Sequence, residues 1–270
     1  MSLRPVAIGA IAHDALVRAG GVARVLARLS ASTYLTAGEE IVWLGAPGAM
    51  LHPRTILVAP APPLPSDDVR LDVHGLAPWR PAPALAGMTM ATLAARWRAV
   101  DAATLGTPGG FGALLAGRSL AFPLDGARGA AEALARACAH HDAASAAEAA
   151  LALLGVGGGL TPSGDDYVGG ALFARALLVP ARLGDAAMWR RAADRVRAGA
   201  PARTHPISVA LLGDLAAGLS WAALHELVAA LAAGAAGAAR TAARRVVSLG
   251  HTSGWDTLAG VAAGLGTLGS

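Results

Sequence analysis

The chain contains no lysine, no asparagine and no glutamine, and it has a single cysteine, Cys138, among its 270 residues. Each gap closes a class of chemistry. Without lysine there is no phosphate loop of the Walker type, no Schiff base to pyridoxal phosphate and no lysine nucleophile. A lone cysteine forms no internal disulfide, which fits a reducing compartment, so a cytoplasmic location is expected. Aromatic residues make up only 4% of the chain, and they are not interleaved with clustered basic residues. The isoelectric point of 10.4 and the net charge of +4 therefore do not form a nucleic-acid footprint; arginine has taken the place of lysine throughout. A long uninterrupted apolar run is missing too. Residues 206–239 are long enough to cross a bilayer, yet Asp214, His225 and Glu226 interrupt them, and alanine contributes too little hydropathy for insertion. No membrane span is expected. The N-terminus lacks an apolar stretch with a small-residue cleavage site, so no secretory signal is read there.

What the chain has in quantity is small and apolar. With 54% apolar residues it can fill one large core or two ordinary ones. Residues 22–29, 33–35, 41–44 and 55–58 read as short strands of a small antiparallel sheet, punctuated by turn residues. The proline run at 59–65 reads as an extended linker, and Asp67-Asp68 after it as a solvated turn. From residue 83 the period becomes helical. Helices are expected at 85–100, 128–140, 143–154, 165–178, 185–198, 207–219, 221–233, 235–248 and 254–265, with alanine and leucine dominating from 128 onward. The fold class is thus α+β: a β-rich part over residues 1–83, then a mainly helical part over 84–270. No internal repeat is legible along the chain.

One stretch asks for more than packing: Gly155-Val-Gly-Gly-Gly-Leu-Thr-Pro-Ser-Gly-Asp-Asp166. Glycines, hydroxyls and two adjacent acids open an apolar helix. Ser163 can cap it and the acids complement its dipole. Alternatively, the amides of Gly157, Gly158, Gly159 and Gly164, with Thr161 and Ser163, cradle an anion while Asp165 or Asp166 handles a proton or a metal. Paired acids repel a phosphate, so a divalent cation, an arginine or a substrate amino group would have to intervene. Adjacent aspartates on a helix diverge by about 100°, so one of them faces the site and the other orients it.

A second stretch, Ser248-Leu-Gly-His-Thr-Ser-Gly-Trp-Asp256, has the same shape. Meeting the first across a cleft, it would bring Asp256 to Asp165 or Asp166, with His251 as acid or base and Thr252-Ser253 as further donors. A turn histidine and a core tryptophan are the plainer alternative. The segment Arg203-Thr-His-Pro-Ile-Ser208 offers a guanidinium for a carboxylate or phosphate, with Thr204 and Ser208 as caps or ligands. Thr107-Pro-Gly-Gly-Phe-Gly112 is a turn with exposed amides and no specificity of its own. His140-His141-Asp142 reads as a solvated helix end rather than a metal site.

The two glycine-aspartate motifs, the Thr204-x-x-x-Ser208 spacing, Ile41-Val-Trp-Leu-Gly45 and His52-Pro53 together resemble the AllH-like family over most of the chain. The resemblance implies one subunit of an oxamate carbamoyltransferase acting in allantoin and purine catabolism. Its substrate would be a small anion, and its partners subunits that resemble acyl-CoA synthetases. The chemistry of the motifs themselves, rather than the resemblance, puts Asp165, Asp166, Asp256 and His251 in catalytic positions. Gly157, Gly158, Gly159, Thr161, Ser163, Gly164, Arg203, Thr204, Ser208, Thr252 and Ser253 would bind substrate. The cofactor is open. A metal, if any, would sit on Asp165 and Asp166 and be magnesium or manganese, since no cysteine or histidine cluster suits zinc. Two other readings stand beside this one: a non-catalytic scaffold or ligand-binding subunit, and a metal-dependent hydrolase built on Asp165, Asp166 and Asp256.

Overall fold

The computed structural model describes residues 2–29, 32–59, 67–82, 89–178 and 183–268. Two compact units divide the chain, Met1–Ala82 and Pro83–Ser270.

The first unit is built on one sheet. Its strands are β1 (Ser2–Leu3), β2 (Pro5–Ile8), β3 (Val22–Arg28), β4 (Ser32–Ala37), β5 (Glu40–Gly45), β6 (Thr55–Val58) and β7 (Asp68–Leu71), ordered β1-β7-β3-β4-β5-β6-β2 among the described residues. Antiparallel pairing holds for β3–β4, β4–β5, β3–β7 and β2–β6, whereas β1–β7 and β5–β6 run parallel. The sheet is therefore mixed rather than purely antiparallel. The connection from Gly45 to Thr55 is longer than a tight hairpin and brings the chain back to enter β6 in the direction of β5.

Helix α1 (Ala10–Arg18) buries Ala10, Ala12, Ala15 and Leu16, and Leu16 joins Ile8, Leu35, Val42 and Ile56 in the core of this unit. The sequence gives it little away, because Gly9 at its N-cap supplies no side-chain hydrogen bond. The Asp67-Asp68 pair corrects the turn reading in part. Asp68 opens β7, while both carboxylates stay exposed and reach arginines of β3, Asp67 to Arg28 at 2.9 Å and Asp68 to Arg24 at 3.3 Å. The proline linker read at 59–65 lies, beyond Ala59, outside the described residues.

The second unit is helical: α2 (Met90–Trp97), α3 (Arg128–Ala139), α4 (Ala143–Leu153), α5 (Ser163–Leu178), α6 (Leu183–Gly199), α7 (Pro206–Ala216), α8 (Ala222–Ala233), α9 (Ala236–Val247) and α10 (Ser253–Gly264). The first expected helix is shorter than its pattern. Within 85–100, α2 starts after Thr89, whose hydroxyl caps Thr92 N–H at 3.2 Å, and residues 83–88 lie outside the description. His140 ends α3 and Asp142 caps α4 through Ser145 N–H at 3.0 Å, which makes that cluster a helix junction.

Helix α10 is buried from Gly254 to Gly264. A helix apolar on every side has to sit inside others, and α5 lies against it with both chains running the same way. Their contact is reciprocal. A Cβ on Gly170 would lie 2.2 Å from the Thr257 carbonyl oxygen, and one on Gly260 would lie 2.0 Å from that of Tyr167. No side chain fits at either place, so the two backbones meet there directly. Tyr167 stacks on Phe111 with ring centroids 4.8 Å apart and donates to the Ala131 carbonyl at 3.0 Å, tying the pair to the surrounding core.

Candidate functional site

A constant offset of 90 positions superposes the two helices in sequence: Ser163 on Ser253, Gly164 on Gly254, Asp166 on Asp256, Gly170 on Gly260. The close contacts obey the same offset, since Gly170 meets Thr257 and Val261 while Gly260 meets Tyr167 and Ala171. Gly164 and Gly254 also match: a Cβ on either would lie 2.0 Å from a carbonyl oxygen of the preceding helix, that of Leu153 or of Val246. The sequence hides this internal repeat because only Ser-Gly-x-Asp and one glycine recur, and the turns leading in differ in length. In space it is a pair of helix entrances related by approximate two-fold symmetry.

The entrances interlock. Thr161 Oγ1 lies 3.3 Å from Ser253 Oγ, and Ser163 Oγ lies 3.4 Å from Thr252 Oγ1. These four hydroxyls form a half-exposed rim. Beneath them are the acids: Asp166, 9% exposed, is faced by the Ser253 hydroxyl, and Asp256, 0% exposed, by those of Ser163 and Thr252. Each carboxylate is thus reached by the serine of the opposite entrance. Both keep one buried oxygen, Oδ2, without any hydrogen-bond partner.

An unpaired buried acid resists ionisation. Burial pushes the Asp166 carboxyl well above the usual range against the pull of the Ser253 hydroxyl, and the charges of Asp256 and Asp165 add to the rise. Burial pushes Asp256 up to about 6, opposed by the Phe111 amide and the Ser163 and Thr252 hydroxyls. No arginine is among the groups that set either acid.

Asp165 has a different environment. At 2% exposure, its Oδ1 accepts Gly155 N–H at 2.8 Å, and its Oδ2 accepts the Ser208 hydroxyl at 2.6 Å and the Thr204 hydroxyl. The Thr204-x-x-x-Ser208 spacing thus engages Asp165. Arg203 is exposed and donates to the Gly199 carbonyl at 2.9 Å, while its own carbonyl oxygen packs on Gly155. His251 is exposed at the start of the second entrance. Gly157 folds over the first amide of α5, its absent Cβ only 2.9 Å from Ser163 N, whereas Gly158 and Gly159 face open space. Among the described residues, no group of three or more histidine, cysteine, aspartate or glutamate side chains converges that could hold a metal ion.

A third turn belongs to the site, and sequence reading alone passed over it as nonspecific. Phe111 N–H donates to Asp256 Oδ1 at 2.6 Å. The preceding Gly110, at φ 54°, has Asp256 Oδ1 2.1 Å from where a Cβ would be, so both its conformation and its space demand glycine. Gly109 lies against Thr252 and Gly112 against Trp255. Density of glycine was the available signal, but nothing in the sequence shows which acid the turn covers.

The arrangement is a floor of acceptors under a rim of donors. The positive ends of two helices point the same way, and hydroxyls ring them.

No helix among the described residues is long and apolar enough to cross a membrane. No curated protein and no solved structure matches the chain. The family model described as oxamate carbamoyltransferase subunit AllH matches residues 153–265, a stretch that includes both entrances and the Thr204–Ser208 segment but neither the first unit nor the 107–112 turn. Over that helical stretch the chain is similar to the AllH family.

Proposed function

We propose that the chain contributes the acid–base site of a carbamoyl transfer between carbamoyl phosphate and oxamate, as one subunit of an oxamate carbamoyltransferase-like assembly. The matched family's description as a subunit of that enzyme supports the reaction class. The observation that carries the reading is the pair of buried carboxylates, Asp166 and Asp256, each with an unpartnered oxygen under a hydroxyl rim at twin helix N-termini.

The chemistry follows from what each part can do. An amide nitrogen is a poor nucleophile and must lose a proton as it attacks. Asp256, its carboxyl raised by burial to about 6, is ionised near neutrality and takes that proton. Asp166, whose burial beside the charges of Asp256 and Asp165 favours its neutral form, donates a hydrogen bond to the carbamoyl oxygen as charge develops. The new bond joins the oxamate nitrogen to the carbamoyl carbon, the carbon–oxygen bond to phosphate breaks, and phosphate leaves with the bonding pair. Its charge rests on the 157–163 turn, the α5 N-terminus and the rim hydroxyls. The substrate's own N–H groups supply the positive edge that paired acids require, so no arginine is needed there. Asp165, already saturated, holds the turn in place through Gly155, Thr204 and Ser208. Partner subunits resembling acyl-CoA synthetases belong to this proposal and would cover the rim.

The test is turnover in the reconstituted assembly with Asp166→Asn and Asp256→Asn made separately. Each substitution keeps the shape and removes the acid or base, and each is expected to lower kcat on the order of 100-fold or more. Wild-type turnover in both variants, with folding intact, would rule the pair out of the chemistry.

A further inference from the structure

Helix α5 carries buried acids at its start and a buried cation near its end. Arg175 is 4% exposed. Its guanidinium carbon lies 4.3 Å from the centre of the Trp189 ring, Nη2 donates to the Cys138 carbonyl, and Nη1 lies 3.3 Å from His141 Nδ1. None of these neighbours carries a negative charge that matches it, and Nε–H has no acceptor at all. A buried charge with no counter-charge is strongly disfavoured unless something supplies one. Nothing in the carbamoyl-transfer reading uses it.

Arg175 lines a cleft of about 320 Å³ between α5, α6 and α7. Arg190 and Arg197 line it as well, against one acid, Asp194. Asp194 is taken by Arg197 at 3.4 Å. Arg175 and Arg190 are left without an acidic partner among the described residues. The rest of the wall is small and apolar, with Leu172, Ala176 and Trp189 among its residues. A guanidinium over an aromatic ring, lining the cleft and with one N–H lacking an acceptor, suits a planar or tetrahedral oxyanion.

We propose that the α5–α6–α7 cleft is a binding site for a small oxyanion, a phosphate or a carboxylate, held by the guanidinium groups of Arg175 and Arg190 that line it and separate from the Asp166–Asp256 site. The two sites share one helix and stand roughly 14 Å apart along it, from the rise of about 1.5 Å per residue. The inference does not depend on the proposed transfer reaction.

The experiment is a titration of the intact chain with inorganic phosphate and, separately, with malonate. It follows the Arg175 Nε–H resonance by nitrogen-15 NMR, the resonance being identified by its loss in Arg175→Lys. A saturable shift is expected with at least one of the two probes, and whichever binds more tightly names the source of the oxyanion. Arg190→Ala, on the exposed face of α6, should keep the fold and weaken that binding at least tenfold. Asp166→Asn should leave it unchanged, because that substitution touches only the other end of α5. No shift with either probe would overturn the proposal, as would equal affinity in wild type and Arg190→Ala.

Discussion

The two helix entrances share a plan and differ at one position. Ser163-Gly-Asp-Asp166 and Ser253-Gly-Trp-Asp256 present the same serine, glycine and final acid, and each serine serves the acid of the other entrance. Between glycine and final acid stands Asp165 in one and Trp255 in the other. Asp165 reaches sideways to Gly155, Thr204 and Ser208; Trp255 packs against Gly112 and Gly106 of the turn that covers Asp256. The shared residues build the site, and the differing residue fastens each entrance to its own surroundings. This separates two kinds of buried acid in one motif. Asp165 has both oxygens engaged. Asp166 and Asp256 each keep a buried oxygen without a partner, an arrangement that lowers stability and that the proposed reaction would put to use.

The comparison breaks most completely if the common backbone contact is removed. Gly170→Ala and Gly260→Ala each place a methyl carbon about 2 Å from a carbonyl oxygen, and the helices must part to admit it. Each is expected to destabilise the chain by about 4 kcal/mol, since overpacking at a rigid backbone contact lies at the severe end of single substitutions. Chemical denaturation of the two variants should give similar losses. A large loss at Gly170 with none at Gly260 would show that the two-fold relation is a matter of shape and not of energy.

A smaller effect sharpens the difference between the acids. Asp165→Ala strands two hydroxyls and an amide that now meet a carboxylate, and should cost about 3 kcal/mol. Asp166→Ala removes a carboxyl that is largely unpaired, and should leave stability within about 1 kcal/mol of wild type or raise it. Thermal or urea unfolding of both decides the point. Equal losses would mean that the idle oxygen of Asp166 is satisfied in solution and that the two acids are alike.

Much of this could be read from the residues, for identifiable reasons. The helices of the second unit follow from alanine and leucine at helical spacing, and their ends from the glycine turns and caps. Two entrances meeting with their acids together could be foreseen because both motifs had the same order of turn, hydroxyl, glycine and acid. Which of Asp165 and Asp166 would face inward could not, because that depends on Thr204 and Ser208, about forty positions on, being on the Asp165 side. Arg203 suited an anion by type, yet its reach is set by the turn that bonds it to Gly199. The 107–112 turn was missed because a glycine run carries no sign of what it will lie against. In the first unit, α1 lacks a cap, and the parallel pairings depend on strand order, which alternation of side chains does not encode.

The mildest test uses pH and addresses the two acids directly. Asp256 has its carboxyl raised by burial from 3.8 to about 6 in the folded chain. A raised acid favours the folded state while it is protonated. Its contribution is therefore full below about pH 4 and is lost as pH climbs through about 6, with roughly 2 kcal/mol at stake once coupling to Asp166 is allowed for. Asp166 is raised in the same direction, by burial first. Wild type should thus lose stability between about pH 4 and pH 7 relative to Asp256→Asn, whose amide does not titrate, and the two denaturation profiles should converge on the acid side. Parallel profiles for wild type and Asp256→Asn across this range would mean that Asp256 is ionised at little cost in the folded chain, and it would then lose its claim to be the tuned base of the pair.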